Sequence, residues 1–115
     1  MTSNEIINQI STDLRNNAIK SPSQWAENHR SLAGWYAFLS DELINLSCQR
    51  DIDIIELRKS VKSDAQAERQ YDGSVAGNIF FKTKTELKVI EKLLSSLKLT
   101  IEVEKNNMFN SSNKY

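Results

Sequence analysis

The sequence predicts an all-α protein: a short N-terminal helix followed by a long antiparallel helical hairpin with coiled-coil-like seams. Three observations carry that expectation. Trp25, His29, Leu32, Tyr36, Leu39, Leu43 and Leu46 recur at alternating steps of four and three, the period of a helix lying along a partner helix. A second seam follows through Phe80, Thr83, Leu87, Ile90, Leu94, Leu97 and Ile101, extending weakly to Glu104 and Met108. Gly73 and Gly77 separate the two, in a chain of 115 residues with only three glycines and one proline. Such a composition suits helices.

Thr2 with Glu5 reads as a capping box, and Ile6, Ile7, Ile10 and Leu14 supply one apolar face. A helix over 3–17 follows, broken by the polar stretch from Asn16 to Lys20. Ser21, Pro22 and Gln24 make a stronger start signal. Serine supplies a cap oxygen, proline takes the first helical position where its missing amide costs nothing, and glutamine reaches back to the cap. The spacing predicts one helix over 22–70, about 70 Å long at 1.5 Å per residue. After Leu46 the apolar positions resume at Ile54, Leu57, Val61 and Ala65, so the rhythm slips at Arg50, as at a bend or a relaxed supercoil. Gly34 either weakens this helix by about 1 kcal/mol relative to alanine or admits another backbone closely. Tyr71-Asp72-Gly73 ends the helix, 71–78 forms the turn, and 79–105 returns. Leu97, Leu99, Ile101 and Val103 also alternate in strand fashion, but length and the preceding rhythm favour helix. Residues 106–115 are expected to fray. The whole chain, 1–115, is expected to be a single helical domain.

A hairpin this thin has a poor surface-to-volume ratio, so a homo-oligomer is expected. No apolar run approaches the roughly 20 residues needed to cross a bilayer, and Met1 to Ile10 lacks the character of a secretory signal. A lone Cys48 excludes an intramolecular disulfide and points to a reducing, cytoplasmic setting. The net charge of zero hides an asymmetry. Residues 1–57 hold four basic and eight acidic side chains, whereas 58–115 hold eleven basic and seven acidic. The stretch around the turn is therefore modestly electropositive.

Catalysis finds little support. The only histidine, His29, falls on the apolar seam between Trp25 and Leu32, where packing is its natural role. Cys48 lies about 28 Å further along the same helix by helical rise, too far to pair with it. One histidine and one cysteine cannot complete a structural zinc site. Gly73 to Gly77 lacks the lysine-serine or lysine-threonine pair of a phosphate loop. Asp41, Glu42, Asp51, Asp53 and Glu56 read as a solvated or inter-subunit acidic face. No enzyme, cofactor or metal is expected.

The basic residues carry more. Arg58, Lys62 and Arg69, with Gln66 between them, form one stripe on a continuous helix, and Lys84, Lys88 and Lys92 form another on the returning one. Antiparallel pairing is expected to bring both stripes to one end, flanked by Tyr71, Phe80 and Phe81. Single-stranded nucleic acid needs cations along its phosphates and planar groups for its bases. Arg58, Lys62, Arg69, Lys84 and Lys88 are candidates for the first role, Tyr71 and Phe81 for the second. The plainer account is a solvated helix face, its lysines interleaved with Glu86 and Glu91, and Phe80 in the core. Trp35 and Phe38 widen the apolar face beyond one partner helix, and with Trp25, in the same aromatic-rich part of the helix, they are expected to meet the first helix or, in preference, another subunit.

This layout resembles the small T4-type phage recombination mediator family (UvsY-like), with a short N-terminal segment, a long tryptophan-bearing helix, a glycine-containing turn and a returning helix. In an ungapped overlay Trp35 matches a family tryptophan, and Leu57-Arg58 falls on the family's leucine-lysine step. That step lies in a basic segment implicated in single-strand binding, which implies a role for Arg58 and, by adjacency, for Lys59. The resemblance covers roughly residues 30–105. It implies a phage protein acting in the bacterial cytoplasm as a homo-oligomer on single-stranded DNA, helping load a recombinase onto strands coated by single-strand binding protein. Two other classes stand beside it: a protein-binding module, such as a phage-encoded inhibitor of a host or defence complex using the acidic face, and a structural coiled-coil spacer.

Overall fold

A computed structural model describes residues 2–113, with side chains as far as Met108. It contains α1 (Ser3–Arg15), α2 (Pro22–Arg58), α3 (Asp64–Asp72) and α4 (Val75–Asn113). No strand occurs among the described residues, and 97–103 are helical. The fold is an all-α hairpin in which α2 packs against α4. The chain divides into two compact units, one holding Met1–Tyr36 and Val89–Tyr115, the other Ala37–Lys88.

In the first unit α1 opens as its sequence dictates, with the Thr2 hydroxyl accepting the Glu5 amide at 3.2 Å. It ends two residues earlier than expected. Asn17 adopts φ 52°, a left-handed conformation that asparagine tolerates, and the Ala18 amide reaches back to the Asp13 carbonyl at 2.9 Å. The six-residue loop closes on a reciprocal capping box. The Ser21 amide donates to Gln24 Oε1 at 2.9 Å and the Gln24 amide donates to Ser21 Oγ at 3.2 Å. Ile7, Ile10, Trp25, Leu32, Ile90 and Leu97 form the buried core of this unit. Tyr36 Oη donates to a Glu91 carboxylate oxygen at 2.8 Å, tying α2 to the returning helix.

The second unit differs from expectation at the hairpin's bend. The helix predicted over 22–70 is interrupted after Arg58, and α3 begins afresh at Asp64. Ser60 Oγ donates to the Leu57 carbonyl at 3.1 Å, and Ser63 caps α3 by accepting the Gln66 amide at 3.2 Å. These hydroxyls offer the backbone local partners that compete with helix continuation. Gln66 Oε1 accepts the Lys62 amide at 3.0 Å, one residue before the cap. On α3 the buried pair is Ala67 and Tyr71, while Ala65, predicted to extend the seam, is exposed.

The expected slip at Arg50 is absent. Positions 46, 50, 53 and 57 keep the four-three rhythm and all are half-buried; Arg50 and Asp53 occupy seam positions that apolar residues hold elsewhere. The turn is tighter than 71–78, because only Gly73 and Ser74 separate α3 from α4. Ser74 Oγ accepts the Gly77 amide at 3.1 Å, and a Cβ on Gly77 would collide with the Tyr71 carbonyl oxygen. Gly77 is thus required by close approach. The second seam follows its prediction from Phe80 to Glu104, whereas Met108 is exposed. The frayed tail expected from residue 106 is instead helix as far as Asn113, since elongating an established helix adds one hydrogen bond per residue fixed. Residues 114 and 115 of that tail lie outside the described residues.

Candidate functional site

The second unit contains all eight residues expected to bind nucleic acid, but it separates their roles. Arg58 Nε donates to Asp64 Oδ1 at 2.9 Å and Nη1 to the Val61 carbonyl at 2.7 Å. It braces the link between α2 and α3. Lys59, the first residue after α2, pairs with Glu56 at 3.0 Å on the surface. The predicted stripe through Arg58, Lys62 and Arg69 is not one helical stripe, because the chain leaves the helix between its first two members. Lys62 and Arg69 instead line an open groove of about 460 Å³ with Ser60, Val61, Gln66 and Gln70. Two cations, two amides and a hydroxyl on one concave surface suit an anion.

Tyr71 is a correction. Its ring is only 2 % exposed, so no base can stack on it as the protein stands. The sequence puts it at the surface of a turn, but α3 extends through it and turns it inward. Burial raises its hydroxyl above the ordinary 10.0, nearby Asp53 and Asp72 push it further up, and Arg50 opposes them. Phe81 is 71 % exposed, as base stacking requires. Lys84 and Lys88 are exposed on α4, with Lys84 Nζ 5.4 Å from the Phe80 ring centroid. Among the described residues no ion pair holds Lys62, Arg69, Lys84 or Lys88.

Arg50 is a residue that periodicity does not single out. Its guanidinium carbon lies 5.5 Å from the Tyr71 ring centroid and 5.5 Å from that of Phe80, and the two rings meet edge to face at 6.4 Å. A seam position filled by arginine signals aromatic partners across the interface, since a guanidinium stacks on ring faces. Taken as a slip in the rhythm, it carries no such signal.

The residues expected at an oligomer interface also divide. Trp25 is buried within its own chain at 3 % exposure, with Lys20 Nζ 5.1 Å from its ring centroid and paired to Asp13 at 2.6 Å. It is therefore core rather than interface. The α1–α2 link folds over the ring, which heptad spacing could not reveal. Trp35 is half-buried and Phe38 is exposed. His29, also half-buried, lies beside Ala26, Arg30 and Ala33 at an open groove of about 740 Å³ completed by α4.

Comparison with protein-family models, curated proteins and solved structures finds no match to this chain. Among the described residues no group of three or more His, Cys, Asp or Glu could hold a metal ion. None of the helices, as far as they are described, is long and apolar enough to cross a membrane.

Proposed function

We propose that this protein is a non-enzymatic, oligomeric accessory protein that binds single-stranded DNA through its second unit. The observation that carries this reading is the set of four cations without acidic partners among the described residues, two of them in the groove beside α3. Lys62 and Arg69 take phosphate oxygens there, Lys84 and Lys88 extend the contact along α4, and Phe81 offers a face to a base. The resemblance to recombination mediators supports a role in loading a recombinase, working in the cytoplasm alongside a single-strand binding protein. Arg58 supports the groove by holding the Val61 carbonyl and Asp64, whereas Lys59, paired with Glu56, has at most a peripheral part in strand binding.

The test is a fluorescence-anisotropy titration of the full chain with a labelled oligonucleotide at several salt concentrations. Saturable binding at low salt is expected. Replacing Lys62 and Arg69 with alanine should flatten the slope of log affinity against log salt by about 0.7 for each phosphate that no longer meets a cation. An unchanged slope moves the phosphate-binding surface elsewhere, and no binding at about 50 mM salt removes the reading. Arg58→Ala is the poorer probe because it also unties α2 from α3.

A further inference from the structure

The face of α2 turned away from its seam carries a second pattern. Asp41, Ile44, Cys48, Ile52 and Ile55 follow steps of three, four, four and three, so they share one side of α2, roughly opposite Leu39, Leu46, Arg50 and Leu57; Lys59, the first residue after the helix, stands four further along at its C-terminal end. All six are exposed, and the isoleucines are 62 %, 59 % and 65 % accessible. The whole stripe lies in the second unit. Nothing among the described residues covers it.

We infer that this stripe is a two-fold interface with a second copy of the same chain, the two α2 helices running antiparallel about an axis near residue 50. The order of its residues selects that partner. About such an axis Asp41 faces Lys59 of the other copy, Ile44 faces Ile55, and Cys48 faces Ile52, each pair meeting at nearly the same height along the helix. The acidic end of one stripe thus meets the basic end of the other, twice, and apolar residues fill the centre. A two-fold interface must be self-complementary in this way. Parallel docking would set like charges together instead. Lys59 gives up only an exposed pair with Glu56, which is worth little. Asp51 lies at the margin, where water and salt screen it.

The stripe is only about 27 Å long, so the interface is small by the standard of stable complexes and the dimer is weak. This inference deepens the oligomeric part of the proposed function and stands without its nucleic-acid part. Sedimentation equilibrium of the full chain, without DNA, tests it separately from the oligonucleotide titration. The expected result is a reversible rise from 13.2 kDa towards twice that mass with concentration. Ile52→Glu should abolish the rise while leaving the helical circular dichroism unchanged. Asp41→Lys and Lys59→Asp should each weaken association about ten-fold, and combining them should restore most of it. A monomer up to about 500 µM overturns the inference. So does a dimer indifferent to Ile52→Glu, or a charge swap whose two effects simply add.

Discussion

An arginine placed at a seam position needs compensation where it lies, and Arg50 finds it in the faces of Tyr71 and Phe80. The compensation is incomplete, because its Nε is buried without a hydrogen-bond partner. The cluster around it gives Tyr71 a titration that stability can report. Its folded value lies above 10.0, raised first by burial and then by Asp53. Both folded and unfolded chains keep the phenol protonated below that pH, so its contribution is intact there. Above it the unfolded chain ionises first, and stability falls as pH rises through the folded value. Denaturant titrations at pH 9 to 11.5 should show this decline, and Tyr71→Phe should remove its share of the slope. The hydroxyl reaches the Ala76 carbonyl at 3.5 Å, a weak bond, so the variant should remain nearly as stable as the parent at pH 7. An identical alkaline slope in both proteins would place the titrating group elsewhere.

At the scale of the element, two glycines that look alike in the sequence do opposite things. Gly34 lies inside α2 with nothing within 4 Å of an added Cβ, so it brings a flexible backbone to a helix without using the space. Gly34→Ala should therefore stabilise the protein by about 1 kcal/mol, seen as a rise of a few degrees in thermal midpoint. Gly77 stands in the first turn of α4 against the Tyr71 carbonyl. Gly77→Ala should cost about 3 kcal/mol or more, because the obstructing atom is backbone and cannot swing aside. Matching signs for the two variants would mean the α3–α4 turn is looser than its geometry indicates. The helix starts follow the same logic of small local bonds. Ser21 with Gln24 and Ser63 with Gln66 are the same signal, but the first stands beside a proline and the second is hidden inside a run of helix formers.

For the molecule as a whole, a formal charge of zero limits what electrostatics can do at a distance. No broad positive field draws in nucleic acid, so any binding depends on the few cations close to the strand. The same balance favours self-association near the isoelectric point of about 6.6. Light scattering should show the most attractive protein–protein interactions near that pH and weaker ones on either side. A minimum displaced well away from it would show that net charge does not set this non-specific attraction, which is separate from specific pairing through the α2 stripe.

The helical class, the two seams from Trp25 to Leu46 and from Phe80 to Glu104, and the capped start at Ser21 were legible in the sequence. Each is a local pattern whose period or cap chemistry repeats wherever a helix buries one side. What tertiary structure alone decided is what polar and small residues do between those patterns. Arg50 belongs to the seam because two rings lie across from it. Tyr71 is buried because α3 carries it inward, and Trp25 is buried in a core that α1 and α4 complete. Lys62 and Arg69 line one groove because the chain leaves the helix after Arg58. Those outcomes depend on partners distant in the chain or on a break in the helix, and periodicity along a single helix contains no information about either.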